Sequence, residues 1–208
     1  MNTASSLQIC AHREALVGAS GIAALYTLTC AHAPAHTHAE RSRPVSPQPR
    51  SEPCHDFDFL HGSWNVHNRY LQGRLRPSTE WIEFDAHSEV QPILNGLGQL
   101  DRYSAMRDGH AIEGVTLRLF NPATGGWSLH WADTVNPGVL LPPMVGRFTG
   151  DVGEFFGDEF VNGKKVLCRF CWTRTNPASP RWEQAFSDDG GKTWETNWIM
   201  TFTRGAHR

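Results

Sequence analysis

Short stretches in which hydrophobic and polar residues alternate follow one another from residue 63 to residue 204, and Gly, Pro, Asn and Asp separate them. Alternation with a period of two is typical of a β-strand that buries one face, and no stretch longer than about ten residues follows the helical period. The pattern predicts strands at 63–71, 79–90, 99–106, 111–120, 126–133, 145–149, 153–161, 165–173, 181–187 and 193–204.

The residues between these strands predict tight connections. Asn162-Gly163, between two apolar runs, is the strongest signal for a two-residue hairpin, because both positions must accept a positive φ. Gly-containing segments at 121–126 and 188–192 connect two further pairs of strands. Consecutive hairpins build a meander, and closing the meander removes its exposed edges. The sequence therefore predicts an all-β, antiparallel, up-and-down barrel of about ten strands, large enough to hold a ligand.

The large aromatic residues divide the chain into two parts. All eight Trp and all eleven Phe lie at or after Phe57, so residues 1–54 lack the side chains that build a core. We expect residues 1–54 to be an N-terminal extension and residues 55–208 to be the barrel domain. Within the extension, residues 34–53 are rich in Pro, His, Ser and Arg, which predicts a disordered linker.

An uncharged, mainly apolar run at 16–30 follows Arg13 and precedes small residues, as in a secretory signal peptide. Glu14 beside the run and Pro34 after a candidate cleavage site do not fit that interpretation. An exported protein and a cytoplasmic protein with an unstructured leader or a misassigned start codon both stay open. The run is too short to span a bilayer securely, so no stable membrane span is predicted.

Charge and cysteine spacing argue against two classes of protein. The chain has 19 Lys and Arg against 21 Asp and Glu, a formal net charge of −2, so no nucleic-acid partner is predicted. Cys168 and Cys171 are three positions apart in a predicted strand, so their side chains point to opposite faces. This arrangement fits two packed thiols better than a redox pair or a zinc site, and no metal is predicted.

The two ends of the predicted barrel carry complementary residues. Gly62-x-Trp64 stands at the head of the first strand, and Arg204 ends the last strand. The first and last strands of a closed meander are neighbours, so the Arg204 guanidinium can stack across the Trp64 indole. We expect Gly62, Trp64 and Arg204 to close one end of the barrel.

Three motifs occur in order along this region: Phe57-Asp-Phe-Leu-x-Gly-x-Trp64, Phe120-Asn-Pro-Ala-Thr124 and Ser187-Asp-Asp-Gly-Gly-Lys-Thr-Trp194. With these motifs, residues 56–204 resemble a bacterial family of lipocalin-like (calycin superfamily) β-barrels of unknown function, distantly related to the nitrobindins. The resemblance implies a barrel that holds a small ligand. Because such families include carriers, haem proteins and a few enzymes, the resemblance leaves the function open.

The last of these motifs also matches the Asp-box of sialidases. Those propellers repeat the box in successive blades, whereas this chain carries it once and has no repeat of about 40 to 50 residues. We interpret it as a hairpin device in which Asp189 bonds to the backbone of the turn.

Aromatic side chains recur at alternate positions on the first and the last two predicted strands, where they share a face with a few uncharged polar groups. The predicted lumen residues are Tyr70, Trp182, Gln184, Thr196, Trp198 and Met200. This composition is typical of a site for an apolar ligand. We therefore predict binding or sequestration of a small hydrophobic molecule, while a barrel completely filled by its own aromatic residues stays open.

Two other functions are compatible with the sequence. An isomerase-, cyclase- or lyase-type enzyme could act on a similar molecule through one buried acid or base, and Glu83, Asp133, Glu159 and Glu183 lie in or beside strands. Nitrobindin-like barrels hold ferric haem through a histidine, so the resemblance also implies a haem protein. His130 is the best candidate ligand, since the last strand contains no histidine. No catalytic residue and no oligomeric state are predicted.

Overall fold

The computed structural model describes residues 52–76 and 78–205. The predictions for the signal-like run at 16–30 and for most of the linker at 34–53 therefore lie outside the described residues. The described part of the chain contains no helix that is both long and apolar enough to cross a membrane.

Ten antiparallel strands form one closed barrel, in which each strand pairs with its neighbours in the chain and the last strand pairs with the first. This arrangement confirms the predicted all-β, up-and-down, lipocalin-like barrel. The strands are β1 (Gly62–Leu71), β2 (Trp81–Ile93), β3 (Gly98–Arg107), β4 (His110–Asn121), β5 (Gly126–Asp133), β6 (Met144–Thr149), β7 (Val152–Val161), β8 (Lys164–Thr173), β9 (Arg181–Ser187) and β10 (Glu195–Arg204). Every predicted strand corresponds to one observed strand, with small differences at the ends.

Because side chains alternate along each strand, every second side chain points into the barrel. On β1, Trp64, Val66 and Asn68 are buried while the residues between them are exposed. Inside the barrel the Trp131 indole lies over Gly114, where a Cβ atom would be 2.0 Å from the ring. Glycine on β4 therefore makes room for a large aromatic side chain from β5.

Phe57 fills one end of the barrel. It precedes the short 3₁₀ turn Asp58–Leu60 and is completely buried. Its ring centroid lies 5.1 Å from that of Trp127, 5.0 Å from that of Phe148 and 6.0 Å from that of Trp172. The first aromatic residue of the N-terminal motif thus belongs to a packed aromatic core at this closed end.

The same end contains the contact between Trp64 and Arg204, which are directly paired across β1 and β10. The Arg204 Cζ atom lies 3.8 Å from the centroid of the Trp64 ring system. Its guanidinium also donates hydrogen bonds to the carbonyl oxygens of His61, at 2.6 Å, and Phe59, at 3.1 Å. Gly62 has a φ of +102°, and a Cβ atom there would lie 3.3 Å from Arg204 Nη1. The structure therefore brings together the three residues that the sequence assigned to barrel closure.

Candidate ligand-binding cavity

A cavity of about 650 Å³ occupies the other end of the barrel. It is bordered by residues near the C-terminal ends of β1, β3, β5 and β7 and near the start of β10. These strand ends are joined by the connections opposite Phe57, so the cavity and the aromatic core lie at opposite ends of one lumen.

Four aromatic rings form a continuous wall of this cavity. Tyr70 contacts Trp198 with ring centroids 5.2 Å apart, Trp198 contacts Trp182 at 5.6 Å, and Trp182 contacts Phe170 at 4.8 Å. All three contacts are edge-to-face, which is a favoured geometry for aromatic pairs. The rings come from the adjacent strands β1, β10, β9 and β8, so they lie side by side on one half of the barrel.

Buried amide groups hold this aromatic wall in place. The Asn68 side chain is fully buried, and its oxygen accepts hydrogen bonds from the Trp198 indole N–H and from the Tyr103 hydroxyl, both at 3.0 Å. Burial raises the pKa of Tyr103, so its hydroxyl stays protonated and remains a donor. Gln184 on β9 donates a hydrogen bond to the side-chain oxygen of Asn197 on β10 at 2.9 Å.

The opposite wall contains a buried ion pair. Arg118 on β4 is 3% exposed, and its guanidinium lies 2.8 Å from the Asp101 carboxylate on β3. The Ser88 hydroxyl donates a hydrogen bond to the same carboxylate at 2.6 Å. The Arg118 Cζ atom also lies 5.3 Å from the Phe57 ring centroid and 5.6 Å from that of Trp172. Arg118 therefore lies where the cavity meets the aromatic core, and Asp101 compensates its charge, although its Nε and Nη1 atoms are buried without a hydrogen-bond partner among the described residues.

Two further arginines lie at the mouth of the cavity. Arg74 belongs to the connection between β1 and β2, and Arg107 ends β3. Their Cζ atoms lie 4.7 Å and 5.1 Å from the centroid of the same ring, Tyr70. Glu159 on β7 also lines the cavity, and its carboxylate accepts a hydrogen bond from the backbone N–H of Phe160 at 3.1 Å.

Five of the six predicted lumen residues line the cavity, namely Tyr70, Trp182, Gln184, Trp198 and Met200. Thr196 is not among the residues that line the cavity, because the strand register shifts between Thr196 and Trp198. This β-bulge at Asn197 reverses the alternation, so Asn197 is fully buried and Thr196 pairs with Ala185 instead of facing the lumen. Strict alternation along β10 missed the bulge, and with it the inward Asn197.

The histidines do not form a ligand site inside the lumen. Of the five in the barrel, only His130 borders the cavity. Its imidazole lies 3.2 Å from the hydroxyl of Ser128, two residues earlier on the same face of β5. The adjacent Leu129 and Trp131 point inward, so the His130 ring lies on the outer face. These residues do not fit a haem coordinated from within the barrel.

Sequence reasoning named Asp133 and Glu159, which line the cavity, but missed the buried ion pair of the lumen. Asp101 and Arg118 occupy inward positions of β3 and β4, two residues from buried Tyr103 and from Phe120 respectively. Extending the alternation to these strands could have found them. Arg74 lies in a connection, where the sequence carries no periodic signal for its direction.

No protein-family model matches this chain, and no curated protein matches it. One solved structure to which it is similar is that of the S-type phycobiliprotein lyase CPES from Guillardia theta. The two chains are 12% identical and superpose with a TM-score of 0.49, over 77% of this chain and 100% of the other. An identity and a TM-score this low do not transfer a ligand or an activity to this chain.

Proposed function

We propose that this barrel binds, and thereby sequesters or carries, a small and largely apolar molecule at its open end. The observation that carries the proposal is the cavity of about 650 Å³ with its aromatic wall. Sites for small organic molecules typically have volumes of about 300 to 1,000 Å³ and combine aromatic walls with a few polar groups. Trp198 is only partly buried by the protein itself, so a ligand can cover the rest of its indole.

The division of the lumen supports a binding site over a completely filled barrel. Phe57 and its neighbours fill the closed end, whereas the half of the lumen around Trp198 is open. The polar groups beside the aromatic wall are already paired, since Asn68 accepts two hydrogen bonds and Gln184 bonds to Asn197. The deeper Arg118 and Trp172 keep buried N–H groups without a hydrogen-bond partner among the described residues. A ligand group placed against the aromatic wall therefore gains most from apolar contact, because a polar group there would leave water without finding an unpaired partner.

The motif resemblance supports the same proposal, and we propose that the chain is a lipocalin-like barrel distantly related to the nitrobindins. Haem is not proposed as its ligand, because the His130 ring lies on the outer face. Native mass spectrometry of the full chain purified from its own host would reveal a co-purifying molecule by its mass.

An isomerase-, cyclase- or lyase-type enzyme is the second candidate, and the Glu159 carboxylate favours it. Among residues 52–76 and 78–205, no arginine, lysine or histidine lies within 4.0 Å of the Glu159 carboxylate, which leaves it free to transfer a proton. If the co-purifying molecule is converted by the protein, Glu159→Gln should abolish the conversion and retain binding. A protein that only binds would show no conversion in either form.

The binding proposal is tested with N-phenyl-1-naphthylamine, a neutral fluorescent probe. We expect saturable binding of one probe per full-length chain. Loss of an aromatic contact of about 0.5 to 1.5 kcal/mol should weaken binding about two- to twelvefold in Trp198→Ala.

The matched control is Trp194→Ala, since Trp194 packs outside the cavity against Arg169 and Phe156. Thermal unfolding of both variants shows whether the barrel is intact. If the wild type does not bind the probe, or if Trp198→Ala and Trp194→Ala have the same effect, the proposed function is wrong.

A further inference from the structure

We propose that the ligand of this cavity is an organic anion, whose apolar body lies on the aromatic wall and whose charged group is held at the mouth by Arg74 and Arg107. The inference rests on the proposed function and names the class of ligand. The class comprises small molecules in which a carboxylate, sulfonate or phosphate is attached to an aromatic or aliphatic body.

The two guanidinium groups converge on the mouth from different parts of the chain. Arg74 lies near the rings of Tyr70 and Phe186, with Cζ-to-centroid distances of 4.7 Å and 5.3 Å. Arg107 lies 5.1 Å from the Tyr70 ring and 6.0 Å from the Phe84 ring. Stacking on aromatic rings fixes the orientation of each guanidinium while leaving its N–H donors available.

Neither guanidinium is neutralised by the part of the protein that the structure describes. Within residues 52–76 and 78–205, the guanidinium groups of Arg74 and Arg107 have no carboxylate within 4.0 Å and donate no hydrogen bond. Both are partly buried. By contrast, the partly buried Arg174 and Arg181 pair with Asp56 and Glu183. Arg74 and Arg107 therefore keep N–H donors beside the cavity that are available to a carboxylate, sulfonate or phosphate from outside the chain.

The remaining charges of the cavity leave a positive mouth. Arg118 is paired with Asp101, and the Asp133 carboxylate accepts hydrogen bonds from the Trp131 indole at 2.8 Å and the Asn136 backbone at 2.8 Å. Glu159 and Arg76 also line the cavity, and the Arg76 guanidinium donates a hydrogen bond to the side-chain oxygen of Asn162 at 3.1 Å. Two like charges near one ring repel each other, and an anion between them relieves that repulsion and accepts their hydrogen bonds.

Tyr70 connects the two halves of the proposed ligand site. Its ring contacts Trp198 in the aromatic wall and lies beside both guanidinium groups. A molecule stacked near Trp198 therefore needs only a short link between its apolar body and its anionic group. Two probes of the same ring system, one neutral and one anionic, can separate the two contributions.

The test compares 1-anilinonaphthalene-8-sulfonate with N-phenyl-1-naphthylamine, which lacks the sulfonate. Calorimetric titrations of the full chain should give tighter binding of the anionic probe to the wild type. Arg74→Gln and Arg107→Gln should each weaken binding of the anionic probe about tenfold or more, because a hydrogen-bonded charge is lost. Each should change the affinity for the neutral probe less than twofold. Arg107→Lys should recover part of the loss.

Two variants complete the comparison. Arg102→Gln removes an exposed arginine from the same strand as Arg107 and should leave both probes unchanged. Glu159→Gln removes a negative charge from the cavity. It should therefore tighten binding of the anionic probe and leave binding of the neutral probe unchanged. Retained binding of the neutral probe shows that each variant is folded.

The outcomes distinguish the inference from the proposed function. If neither probe binds to the wild type, the proposed function itself is wrong. If both probes bind and the arginine variants affect them alike, the cavity binds apolar molecules but the anion site is wrong. Selective loss of the anionic probe in Arg74→Gln and Arg107→Gln, but not in Arg102→Gln, supports the inference.

Discussion

The side-chain oxygen of Asn68 accepts the indole N–H of Trp198 at 3.0 Å, and this bond fixes the ring at the centre of the aromatic wall. The same oxygen accepts the Tyr103 hydroxyl, so one buried amide links β1, β3 and β10 across the lumen. A single polar side chain thus orients the aromatic residue on which the proposed binding site depends.

We expect Asn68→Leu to destabilise the barrel. The replacement has a similar volume but leaves the Trp198 N–H and the Tyr103 hydroxyl without their acceptor, and each unsatisfied buried group costs about 1 to 3 kcal/mol. Urea denaturation should show a lower midpoint, with a total loss of about 2 to 6 kcal/mol. Asn65→Leu is the control, because Asn65 is exposed on the same strand. Equal midpoints for the two variants would contradict a structural role of the Asn68 network.

The fold was accessible from the sequence because its signals are local. Alternation and turn residues such as Asn162-Gly163, whose φ angles are +51° and +78°, define each hairpin independently of the others. The contact between Trp64 and Arg204 followed from closure of the barrel, which makes the first and last strands neighbours. These features depend on residues close in sequence or on one topological rule.

The site was less accessible because it depends on register and on side-chain direction. One extra residue at Asn197 moved Thr196 out of the lumen, and no turn residue marks that bulge. The direction of Arg74 is set by rings from β1 and β9, which only the folded barrel brings together. Alternation therefore identified the aromatic wall and did not identify the charged mouth.

Arg204→Ala should lower the free energy of unfolding by about 1 to 3 kcal/mol, since it removes a cation–π contact and two charge-assisted hydrogen bonds. The lost partners are the Trp64 ring and the carbonyl oxygens of His61 and Phe59. Binding of the neutral probe should be unchanged, because the contact lies at the end opposite the cavity. Arg102→Ala on the outer face of β3 provides the comparison, and an equal shift for both variants would show that the Trp64 contact contributes nothing specific.

Deletion of residues 1–51 should leave the melting temperature within about 2 °C of the full chain, as expected if no core residue is lost. The cut must not extend further, because the Pro53 carbonyl accepts a hydrogen bond from the Trp127 indole at 3.1 Å. Phe57→Ala in the full chain should instead lower stability by about 3 to 5 kcal/mol, by leaving a cavity in the aromatic core. Calorimetry of the three proteins compares these effects. A large drop for the deletion alone would place part of the core in the N-terminal extension.

The last hairpin predicts a pH dependence of stability. The Asp189 carboxylate accepts hydrogen bonds from the backbone and hydroxyl of Thr193, from the Ser187 hydroxyl and from the Lys192 backbone. These bonds, those from Thr193 foremost, lower the pKa of Asp189 from its ordinary value of 3.8 to about 2. Between these values the unfolded chain binds a proton that the folded hairpin does not, so lowering the pH favours unfolding. The stabilisation by Asp189 is therefore complete above its ordinary pKa and disappears as the pH falls through about 2.

Asp189→Asn tests this dependence because the amide does not titrate and its nitrogen cannot accept hydrogen bonds. The difference in urea midpoint between wild type and variant should be largest near neutral pH and should shrink as the pH approaches about 2, since protonation then removes the same bonds from the wild type. Asp188→Asn is the control and removes the adjacent carboxylate. Within the described residues that carboxylate accepts one hydrogen bond, from Lys164, so this variant should lower the urea midpoint less than Asp189→Asn at every pH. A midpoint difference for Asp189→Asn that stays constant across this range would mean that the hairpin does not depend on the ionised carboxylate.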